Sequence, residues 1–156
     1  VKVSTYGIIF LGTPHQGAKG AQLGRVLANI ASLFVAANDR LLKPLERDSE
    51  WLQQQLGQFG PISRDFVTKF AYEAYETPTV LGRKVMVVPK ASAVVPGQSD
   101  AEAIVILADH RNLVKFPSAE ESGYAIISEH LQIMVNRAGE TIRPRWDVEA
   151  RMHEGT

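Results

Sequence analysis

Three positions in this 156-residue chain carry side chains suited to proton transfer: His15 in the turn Gly12-Thr13-Pro14-His15-Gln16-Gly17, Glu73 at the end of an apolar run, and His110 in Ala108-Asp109-His110-Arg111-Asn112. A histidine accepts and releases protons near neutral pH because its unperturbed pKa is about 6.5, and a carboxylate on its second ring nitrogen fixes the tautomer. General acid–base chemistry is therefore the class these residues suggest. Several acids could partner His110. Asp109 is adjacent to it, but neighbouring side chains generally diverge; Asp100 and Glu102 are further alternatives, and Glu76 is as plausible at the strand end as Glu73. His15 reads first as a turn histidine that can line a pocket with Thr13. His130 falls on the apolar face of a helix and reads as a core residue, and His153 sits in the tail. No histidine lies three or four residues from another, so no metal site is expected, and no cofactor motif is found.

The elements that would carry these residues follow from the apolar pattern. Tyr6 to Leu11 is an unbroken apolar run bounded by Gly and Pro, which predicts a strand buried on both faces of a parallel sheet. Ligands and chemistry gather where such strands end. Leu23, Val26, Leu27, Ile30, Leu33 and Phe34 recur at helical spacing and predict a helix over Ala21 to Ala37. Asp48 or Ser49 can cap a second helix running through Trp51, Leu52 and Leu56. Phe66 to Tyr72 reads as the second strand and Lys84 to Pro89 as the third. Ser92 to Pro117 reads as a long loop carrying His110, with Ala103 to Leu107 a short helix or strand inside it. Ser118 and Glu121 fit a capping box for a helix over Ala119 to Asn136. The charged tail 138–156 shows no apolar periodicity beyond Ile142 and Trp146, and is expected to hug the surface or stay disordered.

Strand, helices, strand, strand, loop, helix is an α/β order. The roughly fifty residues between the first two strands far exceed the usual connection of about 2–6 residues, so 16–65 reads as a cap-like insertion. Seventeen basic and seventeen acidic residues cancel, leaving no long-range attraction for nucleic acid. The longest apolar helix candidate falls short of the roughly 20 residues that a membrane span needs. Absence of cysteine removes any disulfide framework or thiolate nucleophile and permits a reducing compartment. With no signal-peptide pattern after Val1, an intracellular setting is favoured, and the lack of an initial Met suggests an excised or processed piece.

Taken together, Tyr6 to Gly17 and Ala108 to Phe116 resemble the serine-active-site-containing lipase family of α/β-hydrolases, which includes the lipase-like domains of fungal NACHT proteins. The resemblance covers Tyr6 to about Val135. It implies the C-terminal part of an α/β-hydrolase fold: a small, mostly parallel sheet of three core strands flanked by helices, with a helical cap insertion, all within residues 1–137. The triad of such enzymes runs nucleophile, acid, base along the chain. On that order the resemblance implies Glu73, in Phe70-Ala71-Tyr72-Glu73, as the acid and His110 as the base. It also numbers the strands, making Ile8 part of the sixth, Phe66 to Tyr72 the seventh and Val85 to Val88 the eighth.

The chain contains no Gly-x-Ser-x-Gly, so the nucleophile and its oxyanion hole are missing. Ser92, in Ala91-Ser92-Ala93, reads as structural. The implied function is acyl-ester or lipid hydrolysis in a complete enzyme, with the serine outside this chain and the chain alone inactive. The alternative is a non-catalytic, degenerate hydrolase module used in protein interaction or signalling. The apolar edge of the first strand, unpaired in such a fragment, predicts self-association or pairing with an N-terminal half.

Overall fold

The computed structural model describes residues 2–15, 21–33, 58–59, 61–80, 82–95 and 102–154. After a short 3-10 turn at Lys2–Ser4, the elements are β1 (Gly7–Leu11), α1 (Ala21–Ser32), β2 (Val67–Glu73), β3 (Thr77–Pro78), β4 (Lys84–Val85), α2 (Lys90–Ala93), β5 (Glu102–Ile106) and α3 (Ser122–Glu154). β1, β2 and β5 form a parallel sheet in the order β1-β2-β5, with Phe10 opposite Phe70 and Ala71 opposite Ile104. With helices packed against it, this is an α/β arrangement.

Side chains alternate across a strand, so this register places Ile9, Leu11, Ala71, Ile104 and Ile106 on one face. There they pack with Leu113 and with Ile126 and Ile127 of α3. Phe10 and Phe70 point to the other face, where their rings stack 5.8 Å apart and meet Phe59 and His15. Phe70 is fully buried, a contribution of roughly 1.5–3 kcal/mol from its side chain. Gly7 is closely packed from two sides: an added Cβ would lie 2.9 Å from the Val67 carbonyl oxygen, which is fixed backbone, and 2.1 Å from Met134 Cε of α3, a flexible side-chain end.

Two expectations are corrected. Lys84 to Pro89 is not the third strand of the sheet; only Lys84–Val85 is extended, pairing antiparallel with Thr77–Pro78 in a separate two-stranded ribbon. The third core strand is Glu102–Ile106, inside the expected long loop at the place where Ala103 to Leu107 reads as a short helix or strand. The backbone N–H groups of Val87 and Val88 explain the change, because they donate to the Glu73 carboxylate and not to a sheet ladder. Of the two alternatives for the tail, disorder is ruled out through Glu154, where α3 continues past Pro144. Arg145 anchors this half of the helix, with one guanidinium nitrogen donating to the Thr5 carbonyl at 2.7 Å and another to the Asp65 carbonyl at 2.5 Å.

Within the 16–65 insertion, α1 packs Val26 and, just past its end, Leu33 against Val87, Val88 and Ala93, and so belongs to the body of the fold. The second helix expected through Trp51 to Leu56 lies outside the described residues. Among the described residues, nothing pairs with the outer edge of β1, and no helix is long and apolar enough to cross a membrane.

Candidate functional site

Glu73 is the last residue of β2, and His110 follows the end of β5 by four residues; adjacent parallel strands therefore deliver both to the carboxyl rim of the sheet. Their tips are tied together, Ala74 N–H donating to the Ile106 carbonyl at 2.9 Å and Tyr75 N–H to that of Ala108 at 3.2 Å. His110 Nδ1 lies 2.7 Å from Glu73 Oε2. The other carboxylate oxygen, Oε1, accepts the N–H of Val87 at 2.6 Å and of Val88 at 3.0 Å. Glu73 is only 2% exposed, and a buried carboxylate is tolerable because both of its oxygens are paired.

This arrangement selects a tautomer. A carboxylate acceptor on Nδ1 requires the proton there, which leaves the Nε2 lone pair as the basic site. The His110 side chain keeps 24% of its surface exposed, and among the described residues Nε2 has no hydrogen-bond partner. Its backbone N–H donates to Thr77 Oγ1 at 2.9 Å. The ring rests against Gly12, which follows β1 at φ +61° with its N–H on the Ala71 carbonyl; a Cβ there would sit 3.1 Å from His110 Cε1 and 3.2 Å from Nδ1. Buried Leu113 anchors the turn that follows.

The other acids are engaged elsewhere. Asp109 turns to Asn112, accepting its backbone N–H at 3.0 Å and its side-chain amide at 2.9 Å. Glu102 pairs with Lys69, whose hydrogen bond holds that carboxyl below its ordinary range despite partial desolvation. Glu76 is exposed on a cleft of about 630 Å³ whose lining also includes Tyr75, Lys84, Asp109 and Phe116 but neither member of the pair. Asp100 lies outside the described residues. His130 is half-buried, 3.8 Å from Glu102, and not a core residue; His153 is exposed beside Glu149. Ser92 is buried in α2, its carbonyl accepting the His15 N–H at 2.6 Å. Among the described residues no cluster could hold a metal ion.

Thr13 is half-buried beside Gly12, whereas the His15 ring is closed off from solvent, edge-on to Phe10 at 4.4 Å and to Phe70 at 4.9 Å. Neither ring nitrogen of His15 finds a partner among the described residues, and burial lowers its pKa from 6.5 to about 4. Between these values the unfolded chain binds a proton that the folded chain refuses, so stability falls as pH drops from 6.5 toward 4. His15→Phe fits the aromatic setting and is expected to flatten that limb of a plot of Tm against pH. An unchanged slope would show that this ring does not titrate as described.

Glu73 and His110 are legible as sequence, but Thr77, the Val87 and Val88 amides and the Gly12 contact are not. Thr77-Pro78 reads only as a loop, and a backbone N–H carries no residue signature. Comparison with family models, curated proteins and solved structures finds no match to this chain.

Proposed function

We propose that this chain supplies the acid and the base of a serine esterase or lipase-like α/β-hydrolase, with the nucleophilic serine carried on a segment outside it. The observation that carries the reading is the 2.7 Å contact between His110 Nδ1 and a Glu73 carboxylate whose second oxygen is held by two backbone amides. A surface histidine needs no such support, and a degenerate module would be free to lose it. The acid precedes the base on neighbouring parallel strands, an order consistent with this hydrolase class.

In the proposed reaction the serine Oγ attacks the acyl carbonyl and its proton passes to His110 Nε2. Glu73 stabilises the imidazolium through Nδ1–H without taking that proton. The alcohol leaves with the proton from Nε2, and water repeats the sequence to release the acid. The His110 ring lies against Gly12 at the β1 tip, so the acyl group would sit there, near Thr13, while the enclosed His15 ring is not part of its pocket. The edge of β1 that no described strand pairs with is the proposed docking place for the complementary segment or for a second copy.

Co-expression with the upstream coding segment is the test. That segment should carry Gly-x-Ser-x-Gly, co-purify with this chain, and hydrolyse a short acyl ester in a manner abolished by His110→Ala. Hydrolysis indifferent to His110→Ala, or an upstream segment without that serine, would contradict the proposal.

A further inference from the structure

The β3–β4 ribbon touches both members of the pair. At its start Thr77, fully buried, accepts the His110 N–H on its hydroxyl. The chain then turns tightly, with Thr79 N–H donating to the Arg83 carbonyl at 2.7 Å, Gly82 N–H to that of Thr79 at 3.0 Å, and Gly82 at φ +76°. Just beyond β4, the Val87 and Val88 amides reach Glu73 Oε1. Thr77 and Val85 face each other across the ribbon, so its open end leads on one strand to the contact with the base and on the other, through Val87 and Val88, to the contact with the acid. Helix α1 and the residue after it brace the same points from behind: Asn29 donates its side-chain amide to the Met86 carbonyl at 3.0 Å, and Arg111, next to His110, donates to the Leu33 carbonyl at 3.0 Å.

We propose that the β3–β4 ribbon is a clamp setting the separation of Glu73 and His110, and that Thr77 is the positioning residue on the base side. The inference rests on the Glu73–His110 pair described above. The strand tips are already tied by backbone hydrogen bonds, but those bonds fix only the start of the turn that presents the imidazole. Valine would fill the space of Thr77 at similar volume, so the hydroxyl is what distinguishes this residue. A hydroxyl buried to 0% exposure is unfavourable without a hydrogen bond, and His110 N–H supplies one.

Proton NMR of the full chain separates this role from general packing. The unsubstituted chain and Thr77→Ser should both show a strongly deshielded, slowly exchanging His110 Nδ1–H. In Thr77→Val and Thr77→Ala that proton should exchange about tenfold faster, the effect of one hydrogen bond, while amide spectra remain those of the folded chain. An unaltered exchange rate in both variants overturns the clamp. Loss of fold in both, with Thr77→Ser intact, also overturns it by making the hydroxyl a determinant of folding. Absence of the deshielded proton from the unsubstituted chain would instead refute the Glu73–His110 pair itself.

Discussion

Glu73→Gln is expected to leave the fold nearly intact and to remove the basic function of His110. The glutamine carbonyl can still accept the Val87 and Val88 N–H groups, so no buried donor is stranded. Its NH2 then faces His110 Nδ1 and demands an acceptor there, which moves the imidazole proton to Nε2, the atom that must be bare. In a serine hydrolase the analogous change of tautomer costs on the order of 10,000-fold in turnover. In the complementation assay that tests the proposed hydrolase, Glu73→Gln should lower activity on that scale with little change in Tm. Glu73→Ala should behave differently, because it strands two buried N–H groups at about 1–3 kcal/mol each and lowers Tm as well. Equal activities of the Gln variant and the unsubstituted protein would show that Glu73 does not orient the base.

Gly12→Ala is expected to damage both stability and the site. At φ +61° an L-residue pays about 1–2 kcal/mol for the left-handed conformation alone. The new Cβ would also lie 2.6 Å from Cδ2 of buried Leu113 and within 3.2 Å of the His110 ring. Leu113 sits in the core cluster with Ala71, Ile104, Ile106 and Ile127, so the ring is the group freer to move. Tm should fall by about 2–4 °C for each kcal/mol lost in a chain of this size, and the deshielded His110 proton should weaken. Gly24 is the control: in α1 an added Cβ meets nothing within 4 Å, so Gly24→Ala should hold or slightly raise Tm. If the two substitutions shifted Tm alike, close packing at the β1 tip would be refuted.

How far the sequence discloses this fold depends on where each residue spends its hydrogen bonds. β1 and β2 were legible because their apolar runs suit parallel strands, and β2 is found only one residue from its expected bounds, but β1 is not buried on both faces: it lies at the edge of the described sheet with every residue half-buried. The third strand was misplaced because Lys84-Val85-Met86-Val87-Val88 and Glu102-Ala103-Ile104-Val105-Ile106 carry three β-branched residues each, so composition does not rank them. The Val87 and Val88 amides of the first are committed to Glu73, while the second takes the ladder beside β2. The C-terminal half of α3 was illegible for a related reason: Arg145, a charged residue, does the anchoring there through two carbonyls, and hydrophobic periodicity is blind to such a contact. Of the site, the two ionisable residues could be named in advance. The threonine and the backbone groups that hold them could not, since their role exists only once β3 and β4 pair.

The account stands most directly on the protonation state of one ring. Nitrogen-15 NMR of His110 in the full chain, followed to alkaline pH, should end on a ring with Nδ1 protonated and Nε2 bare. A ring protonated at Nε2, or averaging between both tautomers as a free surface histidine does, would contradict it.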